Sequence, residues 1–144
     1  MHQYLGSTVL QSKTADLWAA DIPVGAFCHG VCVLARMIDP AAGRCVLDGR
    51  RTTSLTKSME RTALLATTRR LGRCCWTYPV YVQDEVTAAL GAQGTFLVGP
   101  RGLWRDTGAT TGSDFVIDDG RYVSAQWPGG AWTFAATVTR LVSG

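Results

Sequence analysis

Cys28 sits in the run Ala26-Phe27-Cys28-His29-Gly30. A thiol can be lifted above the end of a β-sheet by a sharp strand-to-helix turn, and such an elbow needs small residues on both sides because the chain doubles back on itself. Ala26 and Gly30 supply that small-x-nucleophile-x-small pattern. A cysteine opening a helix meets free N–H groups and the positive end of the dipole, so its pKa is expected to fall below the roughly 8.5 of a free thiol. The backbone N–H of His29 is the expected oxyanion donor to a carbonyl attacked there. Adjacency does not aim the His29 ring, so geometry decides between a general base and a histidine hydrogen-bonded at a turn. The residues alone leave three uses of Cys28 open: a nucleophile, a redox thiol, or a small buried side chain. In the redox case Cys32, one helical turn further on, is the candidate resolving thiol; its alternative is a core position on a helix.

Other chemistry is sparse. The five cysteines are odd in number, and Cys74 and Cys75 are adjacent, which does not make a disulfide framework. With only His2 and His29, and no CxxC or HExxH, no metal and no cofactor is expected. The stretch from Arg44 to Arg73 holds eight of the fourteen Lys and Arg against Asp48 and Glu60, within a net charge of +3. No aromatic-interleaved or helix-turn-helix pattern accompanies it, so it reads as a solvated basic face and no nucleic acid partner is expected.

Elements must position the thiol. The 144 residues, 47% hydrophobic and 17% charged, suit one globular domain over 1–144. No apolar run reaches membrane-spanning length and no secretory pattern opens the chain, so the expectation is a cytoplasmic protein with no membrane partner. Ser7 caps a helix carrying Leu10, Thr14, Leu17 and Trp18, which Asp21-Ile22-Pro23 ends. Val24 to Phe27 reads as a buried strand running into Cys28. From Gly30 a helix carries Val31, Leu34, Ala35 and Ile38 on one stripe, ended by Asp39-Pro40 and Gly43. "CVLDGRRTTSL" reads as a strand pair or a bent strand about Asp48-Gly49. "KSMERTALLATTRRLG" is a helix with Met59, Ala63, Ala66 and Arg70 on one face and Gly72 as its stop. "CCWTYPVYVQDEVTAALG" passes from an extended aromatic segment to a helix opened by Pro79 and closed near Gly91. Residues 91–114 are loops about a short strand, Thr95 to Val98. "DFVIDDGRYVSAQW" is a hairpin about Asp119-Gly120, and after Pro128 the spacing of Phe134, Val138 and Leu141 gives a closing amphipathic helix. Trp76, Tyr78, Tyr81 and Trp127 pack the core, or line a pocket or dimer surface. Strands alternating with helices favour a layered α/β domain with a largely parallel sheet and an antiparallel edge hairpin.

The ordered set "VGAFCHGVCVLAR", "LDGRRTTSL" and "DDGRYVSAQWPGGAWTFAATV" resembles the DJ-1/PfpI family of the class I glutamine amidotransferase-like superfamily, from about Leu5 to Leu141. The segment "TKSMERTALLATTRRLGRCCWTYPVYVQDEV" is similar to that of a larger bacterial subgroup. The resemblance implies a flavodoxin-like, three-layer α/β sandwich with a mostly parallel sheet, Cys28 as the elbow cysteine and His29 as its catalytic neighbour. It also implies an opening strand with an acidic residue that hydrogen-bonds the cysteine, and a Gly-rich oxyanion loop. Neither has a counterpart here, so the expectation is an N-terminally truncated domain. Asp48, Glu60 and Glu85 lie in other segments, and none is assigned the missing acid's role.

Three functions follow. The first is a cysteine-dependent hydrolase or amidase, or a glyoxalase-like enzyme, acting on a small-molecule or peptide carbonyl. The second is a non-catalytic redox or stress-response protein. The third is an inactive truncated member with a structural or assembly role. For the chain in general a homodimer or higher homo-oligomer is expected, which would supply missing strand surface.

Overall fold

The computed structural model describes residues 2–71, 80–100, 105–111 and 115–144. Helix α1 (His2–Leu5) leads into α2 (Thr8–Ala19), where the Leu10 N–H donates to Ser7 Oγ at 3.2 Å. That bond meets a donor the first helical turn leaves free. Beyond α2, Asp21 takes a left-handed φ of 60° and turns the chain into β1 (Val24–Phe27).

Strand β1 pairs in parallel with β7 (Tyr122–Ala125), Val24 opposite Tyr122 and Phe27 opposite Ala125. Strand β6 (Val116–Asp119) runs antiparallel on the far side of β7. The expected hairpin is therefore present, with Gly120 at φ 74° in its two-residue turn. β1 is buried on one face only. Val24 and Ala26 join the core, whereas Gly25 and Phe27 face α6 (Ala131–Ser143) and are partly open to solvent.

After β1 come one 3₁₀ turn (Cys28–Gly30) and a short α3 (Val31–Ala35). The helix does not reach Ile38 as its spacing suggested. Ile38–Asp39 forms β2, antiparallel to β3 (Arg44–Cys45), and Ile38 is exposed. Asp39 Oδ1 accepts the Ala41 and Ala42 N–H groups at 2.8 and 3.4 Å, and this local turn competes with helix extension. Gly49 supplies the expected turn at φ 75°, but its flanks do not pair with each other. Instead β4 (Arg51–Thr52) pairs in parallel with β5 (Thr95–Phe96), shorter than the strand expected to Val98.

The remaining helices are α4 (Lys57–Leu71) and α5 (Val82–Ala89), with a 3₁₀ turn (Pro128–Gly130) before α6. In α4 the expected apolar side is open: Ala63 and Ala66 are exposed, and Leu65 is 76% exposed. The readings placed on Gly72, Cys74, Cys75, Trp76, Tyr78 and Pro79 lie outside the described residues. Trp127 and Tyr81 are half-buried, the latter beneath the Lys57 amine at 4.8 Å from its ring centroid.

The chain is thus α/β, but its described sheets are small and mixed: three strands in the order β1-β7-β6, then the pairs β2-β3 and β4-β5. One mostly parallel sheet is not formed among the described residues. The core gathers Leu5 and Trp18 from the first two helices, Val24 and Ala26 from β1, and Val31 and Leu34 from α3. Val82 and Val86 from α5, and Leu90 just after it, close the core together with Tyr122 of β7. No helix among the described residues is long and apolar enough to cross a membrane.

Candidate active site at Cys28

The end of β1 delivers Cys28 to a corner. Phe27 is still extended at φ −136°, Cys28 switches to φ +56°, and Gly30 is already helical at φ −59°. A positive φ on a non-glycine residue costs about 1–2 kcal/mol, and such strain persists only where the surroundings hold it. Ala26 lies beneath the corner, buried opposite Ser124. A Cβ added at Gly30 would meet only the Tyr4 hydroxyl, at 3.6 Å. The tight position is Gly25, where a Cβ would come within 2.6 Å of Phe134 Cζ and 3.0 Å of Val138 Cγ2. The close approach of α6 to β1 is what needs glycine.

At the corner Cys28 Sγ lies 3.4 Å from His29 Nδ1, so adjacency in sequence does become contact. The opposite ring nitrogen, Nε2, is buried with no hydrogen bond among the described residues, and Glu60 Oε1 stands 3.9 Å from it. Both side chains are largely covered, at 15% and 14% exposure. The second Glu60 oxygen accepts the Val82 N–H at 2.9 Å, at the first residue of α5. Glu60 was assigned no role from its sequence position, and the structure makes it the acid facing His29. Its only trace in the sequence is that it is the acidic residue in the first turn of α4.

The charge states differ from the sequence expectation. Burial pushes the Cys28 thiol up to about 11, with the His29 N–H opposing this and the Glu60 charge adding to it. The expected thiolate at a helix N-terminus is therefore corrected. The following helix is one 3₁₀ turn and five α residues, too short to offset burial of the sulfur. Burial also lowers the His29 pKa and raises that of Glu60, the latter opposed by the Val82 N–H. The resting pair is a neutral thiol beside a neutral imidazole. With the proton on Nε2, toward Glu60, the Nδ1 lone pair is free to take the S–H proton. The His29 backbone N–H faces the sulfur, so it also lies close to where an oxyanion would form.

A groove of about 650 Å³ opens at the thiol. Tyr4, Leu10, Leu17, Phe27 and Pro128 line it, so apart from Cys28 and His29 its walls are chiefly apolar. It runs along the whole of β1, from Pro23 to the thiol at the strand's carboxyl end. Cys32 is placed otherwise, at 1% exposure inside α3 with burial pushing its thiol up to about 12. No three His, Cys, Asp or Glu side chains gather at metal-binding distance among the described residues.

This α/β chain, with Cys28 at a strained strand end beside His29 and the half-buried Glu60, has the fold of DJ-1/PfpI structures over about half their length. It superposes on the Rapid Encystment Protein 24 kDa of Francisella tularensis with a TM-score of 0.71 at 20% identity, covering 96% of this chain and 52% of that one. Against glyoxalase III from Candida albicans the TM-score is 0.70 at 21% identity, covering 96% and 51%. The chain therefore spans about half the length of the structures it matches, and likeness at this identity is one of fold. No family model matches the sequence, and no curated protein matches it.

Proposed function

We propose that Cys28 attacks a substrate carbonyl with His29 as its base and Glu60 as the acid behind the base, in glyoxalase-like chemistry on small 2-oxoaldehydes. The observation that supports this reading most is the 3.4 Å approach of Cys28 Sγ to His29 Nδ1 at a strained φ of +56°. As the sulfur bonds to the carbonyl carbon, its proton passes to Nδ1. The carbonyl π pair moves onto oxygen beside the His29 backbone N–H, and Glu60 stabilises the imidazolium formed. The fold likeness to a glyoxalase III favours the 2-oxoaldehyde class. Hydrolysis of an activated amide or ester uses the same first step and is the neighbouring reading.

The test is conversion of methylglyoxal and water to lactate without added thiol, with p-nitrophenyl acetate hydrolysis measured in parallel. Cys28→Ala is expected to abolish turnover. Turnover that survives Cys28→Ala unchanged sinks the proposal. A non-catalytic redox role receives less support, because the thiols of Cys28 and Cys32 are both pushed up by burial and the thiolate is the form that oxidises.

In this reading the chain forms one layered unit of a three-layer α/β domain. The core packs on one face of β1 and α6 on the other, and among the described residues β1 has a strand neighbour only on the β7 side. An unpaired edge of this kind suits association with further strands, including those of a second copy.

A further inference from the structure

Glu60 reaches His29 from a helix that is itself seated by an exchange of end contacts. Two helix starts, α4 at Lys57 and α5 at Val82, lie side by side, and each supplies the side chain that satisfies the other's first free N–H. Glu60 of α4 accepts the Val82 N–H at 2.9 Å, and Gln83 of α5 accepts the Lys57 N–H at 2.9 Å. A helix leaves its first four N–H groups unpaired, and local caps usually meet them. Here the caps are exchanged between helices 22 and 26 residues apart in sequence, so they fix the position of one helix start against the other. The described remainder of α4 has no buried residue, so its seating rests chiefly on contacts at this start, where Gln126 Nε2 also donates to Met59 Sδ at 3.3 Å.

We propose that Gln83 is a positioning residue for the Cys28–His29–Glu60 relay: by accepting the Lys57 N–H it holds the start of α4 against α5, so that the Glu60 carboxylate stays beside His29. The inference rests on the proposed relay. The isolated Cys28–His29 contact does not require it.

The charged neighbours are few. Lys57 Nζ pairs with Asp84 Oδ2 at 2.6 Å on the exposed side of the same junction, and the Asp84 charge acts on Glu60. His29 faces Cys28 and Glu60. A carboxylate near Nε2 favours imidazolium, so removing or displacing it lowers the His29 titration midpoint. General loss of packing does not by itself move that midpoint in the same direction as loss of Glu60.

The test is the imidazole titration of His29 by NMR in the whole chain. With two histidines in the sequence, a His2→Gln background leaves one signal. Glu60→Gln is expected to lower the midpoint, and Gln83→Leu, which keeps bulk and loses the acceptor, to lower it too. Gln83→Glu, which keeps the acceptor, is expected to leave it at or above the wild-type value. A Gln83→Leu midpoint equal to wild type while Glu60→Gln shifts overturns the inference and leaves the relay standing. An unshifted Glu60→Gln midpoint removes the relay itself. If Gln83→Leu does not fold, Gln83→Asn, too short to reach the Lys57 N–H, makes the same comparison.

Discussion

His29 Nδ1 lies 3.4 Å from Cys28 Sγ, while Glu60 Oε1 stands 3.9 Å from the opposite ring nitrogen. The imidazole thus bridges a thiol and a carboxylate contributed by two separate parts of the chain. The first contact is within hydrogen-bonding reach for sulfur, and the second is longer than a hydrogen bond. The geometry suits a base that becomes charged during the reaction better than a preformed ion pair. Cys28→Ala should abolish methylglyoxal turnover, and His29→Ala should lower it by about 10²–10⁴-fold, the usual contribution of a positioned base. A His29→Ala chain with wild-type kcat would remove the histidine from the mechanism.

The pH dependence follows from the directions of the shifts. Attack requires neutral His29, whose pKa burial lowers from its ordinary 6.5, so the acid limb of kcat/KM should have its midpoint below 6.5. The thiol is held up at about 11, so no alkaline gain from free thiolate appears across neutral pH. A plateau between these limits is expected. Peptide-resolved labelling with iodoacetamide should find Cys28 slower than a free thiol at pH 8, because thiolate is the reacting form. A labelling midpoint below about 8.5 would instead show a preformed thiolate.

The corner can be probed through its strain. Cys28→Gly and Cys28→Ala both delete the thiol, but only glycine relaxes the positive φ. The glycine variant should be more stable than the alanine variant by about 1 kcal/mol in urea unfolding. Equal midpoints would mean that the corner changes shape when the sulfur is absent.

Gly25 and Gly30 flank the elbow and should answer oppositely. Gly25→Val drives a side chain into Phe134 and Val138, and is expected to destabilise by about 1–3 kcal/mol, the range for overpacked sites. Gly30→Ala places its Cβ at ordinary contact in a helical conformation and should leave stability unchanged or raise it by up to about 1 kcal/mol. Thermal melts of the two variants read the contrast directly.

Much of the local structure was legible from residue order alone. Ser7 caps α2, Val24 to Phe27 leads into Cys28, Gly120 turns the last hairpin, and the spacing of Phe134 and Val138 builds α6. Each of these signals acts within a few residues, through capping, strand alternation, turn geometry or helical period. The short α3 escaped because the Asp39 turn, a side-chain competitor for the backbone, ends the helix before its apolar stripe does. The parallel pairing of β4 with β5 escaped because strands 43 residues apart must be brought together in space before register has meaning.

The sequence by itself determined the nucleophile candidate and the strand that carries it, since both depend on adjacent residue types. Only the tertiary structure decided the acid and the charge state. Glu60 meets His29 through the packing of α4 against α5, a contact between segments 31 residues apart that no local pattern encodes. The thiol pKa rises because the fold removes water from the sulfur, and desolvation is a property of everything packed around a group.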